Sequence, residues 1–161
     1  MPREEYSLRG MLRRTATYFP ANDAVVDEQF RYSYAQLHDK VRRAARLYHE
    51  LGVRKGDRVA LMLLPSANHV VALFAAHELG AIPVALHIRE SVPILIKTLQ
   101  RLSPRILVYD ASLAEQAERL RAQAPWLTGF VTARSGVTGL QAARATGHPV
   151  IPDDLGQYDP D

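Results

Sequence analysis

Residues 51–90 read LGVRKGDRVALMLLPSANHVVALFAAHELGAIPVALHIRE, and the rhythm of breakers and apolar runs in them decides the fold. Gly52 and Gly56-Asp57 are turn chemistry, since glycine reaches left-handed backbone angles without a Cβ penalty and aspartate closes turns with its own carboxylate. They lead into Arg58 to Leu64, a continuous apolar run stopped by Pro65. A strand that is apolar at successive positions is buried on both faces, which is the condition of a parallel sheet. Ala67 to Leu79 is apolar nearly all round at helical length, so this helix is expected to be deeply packed, with Gly80 ending it. Ile82 to Leu86 is the next strand.

The same alternation extends in both directions. Upstream, Ser7 begins a short helix with Leu8, Met11 and Leu12 on its inner face, ending before Pro20. Ala24 to Asp27 and Gln29 to Tyr32 are short β-rich runs around Asp27-Glu28, which predicts a hairpin. Ser33 caps the following helix and Gln36, three residues on, completes a capping box. Leu37, Val41, Ala44, Ala45, Tyr48 and Leu51 then recur at helical spacing. Downstream, Ser91 caps a helix bearing Val92, Leu95, Leu99 and Leu102, and Pro104 precedes a third strand, Ile106 to Tyr109. Asp110 or Ser112 caps a more exposed helix that stops before Pro125, and Leu127 to Thr132 is a fourth strand. The pattern predicts an α/β fold: a mainly parallel sheet with right-handed crossovers and helices on both faces. Residues 133–161 are rich in glycine and proline and read as a loop or linker.

Composition narrows the function classes. A chain of 161 residues is the size of one ordinary domain, long enough to bury roughly two thirds of its unfolded surface without a staple. With 47% apolar and 23% charged residues and no apolar run of bilayer length, it reads as soluble rather than as an integral membrane protein. Met1 to Tyr18 carries Arg3, Glu4, Glu5, Arg9, Arg13 and Arg14, which leaves no apolar signal region, and a cytoplasmic address is expected. The absence of Cys excludes disulfides, thiolate nucleophiles and Cys-ligated zinc. The formal charge of +3 does not point to nucleic acid, because the basic residues are scattered along helices. Their densest group, Lys40, Arg42, Arg43 and Arg46, is expected around the solvent side of one helix.

Four short patterns, in order, carry a family resemblance over Ala24 to Thr132: Ser33, Tyr34 and Leu37 at a helix start; Leu51, Gly52, Gly56, Asp57 and Val59 at a turn into a strand; Gly80, Ala81, Val84 and Leu86 at the next; and the strand Ile106 to Tyr109 after a helix. Together they resemble the N-terminal portion of adenylate-forming enzymes of the acyl-CoA synthetase kind. The family often reads Val-Pro-Leu-Asn-Pro after the second of these strands, whereas this chain has Val84, Ala85, Leu86, His87 and Ile88. The resemblance implies an N-terminal α/β subdomain over residues 1–132, followed by a linker over 133–161 towards a nucleotide-binding loop. It also implies the chemistry of a whole enzyme: a carboxylate attacks the α-phosphate of ATP with magnesium assistance, and a thiol such as coenzyme A displaces AMP. A fatty acid is the expected acid, and the remaining subdomains of the same enzyme are the expected partners. None of the family's catalytic motifs falls on this chain, so no catalytic, cofactor-binding or metal residue is assigned and the isolated chain is expected to be inactive. Tyr158 to Asp161 resembles the lead-in to the missing loop.

Other candidates were weighed against this reading. Ser135 to Leu140 imitates a phosphate loop, but Gln141 and Ala142 stand where its Pro and Lys belong, so it reads as an ordinary loop. His38, His49, His69, His77 and His148 lack metal-ligand spacing. Ser66, Asn68, His87 and Arg89 are the candidate substrate contacts, because each follows a strand and ligands of open α/β sheets gather at strand carboxyl ends. A free-standing flavodoxin-like binding module, or an interaction module without catalysis, is the alternative. Apolar surface left uncovered beside missing subdomains predicts self-association, most simply as a two-fold dimer. Light scattering across a wide concentration range is expected to show a mass that rises towards twice that of the chain; a constant monomer mass would contradict this.

Overall fold

The computed structural model describes residues 6–134 and 145–151. In chain order they form α1 (Leu8–Tyr18), β1 (Asp23–Val26), β2 (Arg31–Ser33), α2 (Tyr34–Glu50), β3 (Arg58–Met62), α3 (Ala67–Glu78), β4 (Ile82–Ala85), α4 (Val92–Leu102), β5 (Ile106–Asp110), a 3-10 turn (Ala111–Leu113), α5 (Ala114–Gln123) and β6 (Gly129–Ala133). β1 and β2 make the antiparallel hairpin. The other four strands form one parallel sheet in the order β4-β3-β5-β6. The α/β fold with helices on both faces is as the sequence implies.

Successive strand residues point to opposite faces, which divides the interior in two. Val59, Leu61, Ile106, Val108 and Val131 face α2, α3 and the hairpin. Ala60, Met62, Leu107, Tyr109 and Phe130 face α4 and α5. Each fully buried aliphatic side chain contributes roughly 1.5–3 kcal/mol, so the central strands β3 and β5 are held from both sides. The Ser33–Gln36 capping box forms as read. No residue of α3 is exposed.

Several expectations are corrected. Lys40 is fully buried rather than on the solvent side, with Nζ 4.8 Å from the centre of the Tyr32 ring, because the hairpin folds over that flank of α2. Leu8 and Met11 are each 44% exposed; α1 buries only Gly10 and Leu12. Ser91 occupies the N-cap position of α4 but makes no side-chain cap. The fourth strand starts two residues late and runs on through Ala133. Within the segment read as linker, Val150 pairs in parallel with Thr132, and Ile151 is buried in the same core as α2 and α3.

The positive charge of the chain is used where helices end. Unpaired carbonyls at a helix C-terminus carry partial negative charge and attract cations. The Arg54 guanidinium donates to the carbonyls of His49 and Val53 at the end of α2 (2.8 and 2.9 Å), and Arg9 donates to Glu78 at the end of α3 (3.3 Å). Gly52 closes α2 with φ +92°, under the Arg105 guanidinium.

The outer edge of β4 is blunted. Ile82 and Leu86 donate to β3 through Asp57 and Leu61, so the intervening odd positions face outwards, and one of them is Pro83, which has no N–H. Among the described residues, Tyr6, Leu8, Met11, Tyr18 and Phe19 are exposed apolar side chains in and beside α1.

A Cβ at Gly52 would occupy a left-handed backbone position and meet Arg105 Nη2 at 2.6 Å. Gly52→Ala is expected to lower unfolding free energy by about 1–2 kcal/mol, the cost of left-handed angles for an L-residue. Urea denaturation followed by circular dichroism checks this.

Candidate functional site

From β3 the chain crosses one face of the sheet through α3 to β4. It then returns across the other face through α4 to β5, on the far side of β3. Loops after β3 and β5 thus leave in opposite directions and open a crevice at the carboxyl ends of these strands, where ligands of such sheets bind. Its rim is made by residues 63–68 after β3, Asp110 to Ser112 after β5 and Arg134 after β6.

The structure places two of the four candidate residues at this rim. Ser66 caps α3, its Oγ accepting from the His69 N–H at 3.2 Å. Asn68 lies in the first turn of α3, fully buried, and its Nδ2 donates to the Arg134 carbonyl. Its Oδ1 is buried without a hydrogen-bond partner. His87 and Arg89 are not part of the group: both are exposed beyond β4, at the outer edge of the sheet, in a turn closed by the Glu90 N–H to the His87 carbonyl (3.0 Å).

Two residues that sequence reading treated only as turn and cap formers join the rim. Asp27 accepts from the Gln29 and Phe30 N–H groups through Oδ1 (2.8 and 2.7 Å) and from the Ala67 N–H at the start of α3 through Oδ2 (2.7 Å). Asp110 is fully buried and accepts from the Ser112 N–H and hydroxyl (2.9 and 2.6 Å). Arg134, which no motif marked, lays its guanidinium over the Phe30 ring at 4.9 Å. The only sequence signal for Arg134 was its place directly after the last apolar run.

The electrostatics of the rim follow. A helix N-terminus is a ready anion site when its N–H groups are free. Here one N–H at the start of α3 and one in the 3-10 turn are taken by carboxylates of the chain itself, Asp27 and Asp110, which places negative charge at the described rim. Among the described residues no group of three His, Asp or Glu is arranged to hold a metal ion. The phosphate-loop imitation at Ser135 to Leu140 and the Tyr158 to Asp161 ending lie outside the described residues. Elsewhere, burial lowers the His77 pKa below its ordinary value and pushes the Tyr48 phenol up; Tyr48 donates to the Ala72 carbonyl at 3.3 Å. These groups pack helices and do not approach the rim.

What the rim offers is a platform: a buried amide, a guanidinium and two backbone-held carboxylates at the end of a rigid sheet. Comparison with known proteins says whose platform it is. The family model for AMP-binding enzyme matches residues 12–149, most of the chain. The chain belongs to this family. It is 32% identical over 140 residues to the long-chain-fatty-acid–CoA ligase FadD13 of Mycobacterium tuberculosis, covering 84% of this chain and 28% of that protein. A shorter match, 38% over 76 residues, relates it to the crotonobetaine/carnitine–CoA ligase of Salmonella paratyphi A, over 47% of this chain and 14% of that one. The crystal structure of the N-terminal domain of FACL13 from Mycobacterium tuberculosis superposes with a TM-score of 0.75 at 26% identity, over 94% of this chain and 38% of that one. The resemblance and the fold class read from the sequence are therefore correct. This chain spans less than a third of the length of the two CoA ligases it matches in sequence.

Asp27 ties hairpin to helix through three backbone N–H groups. Asp27→Ala is expected to cost about 2–3 kcal/mol, the worth of charge-assisted hydrogen bonds whose donors are left inside. Chemical denaturation measures it, and a loss below about 0.5 kcal/mol, the size of an ordinary surface substitution, would contradict the role.

Proposed function

We propose that this chain is the N-terminal α/β part of an ATP-dependent, AMP-forming acyl-CoA ligase whose acid is a fatty acid, and that the chain alone is inactive. The observation that carries the reading is the alignment with a fatty-acid–CoA ligase over 84% of the chain. In such a ligase ATP, magnesium and coenzyme A supply the activating and accepting groups. The described residues of this chain supply the platform instead. The sheet is rigid because both faces are packed, and its crevice is where the remaining subdomains would meet the acid. Ser66 and Asn68 are the residues of this chain proposed to border that meeting point; Arg134 joins them.

The carboxylates of Asp27 and Asp110 at the rim support the inactivity of the chain by itself, since they set negative charge where phosphate would have to be positioned. A cytoplasmic location is proposed together with this ligase reading. Among the described residues no helix is long and apolar enough to cross a membrane. Self-association through the exposed α1 face is proposed for the chain when separated from its subdomains.

The test is pyrophosphate release from ATP and magnesium in the presence of a long-chain fatty acid. The purified 161-residue chain is expected to match a boiled control. The full reading frame containing it is expected to release pyrophosphate and, with coenzyme A, to form the acyl thioester. Turnover by the short chain would overturn its inactivity. A full product active on aromatic but not fatty acids would overturn the substrate, and one inactive on every carboxylate would overturn the ligase reading.

A further inference from the structure

One cluster lies on the α5 side of the sheet, at the carboxyl ends of β5 and β6 and next to the rim residues Asp110 and Arg134, and the proposed function makes no use of it. Residues 145–151 run along the free edge of β6, where the Thr132 N–H donates to the Pro149 carbonyl (2.7 Å) and the Ile151 N–H donates to the Thr132 carbonyl (2.9 Å). The hydroxyls of Thr132 and Thr146 meet at 2.9 Å. At the middle of the segment is His148. Its ring stacks on Phe130, with centroids 5.1 Å apart and planes at 19°, and meets the Tyr109 ring edge-on at 5.7 Å. Its Nδ1 is hydrogen-bonded to the buried Tyr109 hydroxyl at 2.6 Å.

We infer that residues 145–151 are a pH-sensitive latch, held on β6 by the neutral imidazole of His148 and loosened when that ring takes up a proton. A neutral Nδ1 accepts from the Tyr109 hydroxyl, and the same atom once protonated can only donate. Tyr109 must then turn its own O–H elsewhere, inside a site where it is 1% exposed. A cleft of about 440 Å³ between Tyr109, Ala114, Glu115, Glu118, Ala145 and Thr146 opens against Tyr109, the hydrogen-bond partner of the ring.

Three elements pack against His148 or carry charge near it. β6 presents Phe130 and Thr132, and β5 presents Tyr109. α5 presents Glu118 and Arg121, which pair with each other at 2.8 Å. Burial lowers the proton affinity of His148 below that of a free imidazole; the Glu118 carboxylate raises it and the Arg121 guanidinium lowers it. Attraction of an imidazolium to the Phe130 face also favours the charged ring. The net direction is downward, because Glu118 already has its counter-charge in Arg121 and the ring is half-buried. A folded-state pKa below the ordinary histidine value means that docking is at full strength above about pH 6.5 and weakens as pH falls through the lowered folded value.

Ile151, buried in the core, keeps the latch from leaving outright, so loosening is the expected response rather than unfolding. The latch stands apart from the ligase reading and does not depend on it. Amide hydrogen exchange of the whole chain, corrected for intrinsic rates, reads it at two N–H groups, Thr132 and Ile151. Between pH 7.5 and pH 5 their protection is expected to fall, while that of Leu107 and Val108 in the sheet centre stays constant. In His148→Phe, which keeps the stack but cannot protonate, protection is expected to be independent of pH. In Tyr109→Phe, which keeps the packing but removes the hydroxyl, the midpoint is expected to move up, as seen in the imidazole resonances of His148. Equal protection at both pH values in the unmodified chain would overturn the latch. So would the same pH dependence in His148→Phe, or an unmoved His148 midpoint in Tyr109→Phe.

Discussion

The Asp27 carboxylate joins two parts of the molecule that no hydrophobic contact alone would align. One oxygen closes the hairpin turn between β1 and β2, and the other receives the first N–H of α3, forty residues on. Apolar burial is strong but non-directional; it brings α2, α3 and the hairpin to one face of the sheet without setting their register. Three charge-assisted hydrogen bonds to backbone donors do set it. The hairpin then covers the flank of α2, which buries Lys40 against Tyr32 and brings Phe30 under the Arg134 guanidinium. Strand order opens the crevice, and this carboxylate fixes the hairpin against the α3 side of its rim.

The distribution of charge has a related logic. Helices α2 and α3 point their C-termini at one edge of the sheet, and Arg54, Arg105 and Arg9 gather there against carbonyls and helix ends. At the opposite edge, Asp27 and Asp110 close the N-termini of α3 and the 3-10 turn. An excess of cations in the composition is thus compatible with the lack of a polyanion surface. The chain neutralises these helix ends with its own side chains.

Much of the candidate site was hidden from sequence reading for a specific reason. Ser66 and Asn68 were chosen because ligands gather at strand ends in open α/β sheets, and the structure places both at the crevice rim. His87 and Arg89 satisfied the same rule, yet their strand, β4, is the outer edge and lies away from the crevice. The rule needs strand order, and strand order comes from which side of β3 each crossover takes. Arg134 and the second role of Asp27 depend on contacts 66 and 40 residues apart in sequence, which no local pattern encodes. Likewise the latch residues looked like linker, since Gly147 and Pro149 break periodicity and a single bridge to Thr132 needs none.

The amino-acid sequence by itself determined the elements, their order and the family. Breakers at Gly52, Pro65, Gly80 and Pro104 bound runs whose periodicity is either that of a doubly buried strand or of a helix, and such periodicity acts over neighbouring residues. Only the tertiary structure decided which faces meet. The burial of Lys40, the exposure of Leu8 and Met11, the closing of the α3 N-terminus by Asp27 and the docking of His148 on Phe130 each join residues distant along the chain. Local propensity cannot encode these pairings, because their energy exists only after the sheet has brought both partners to the same place.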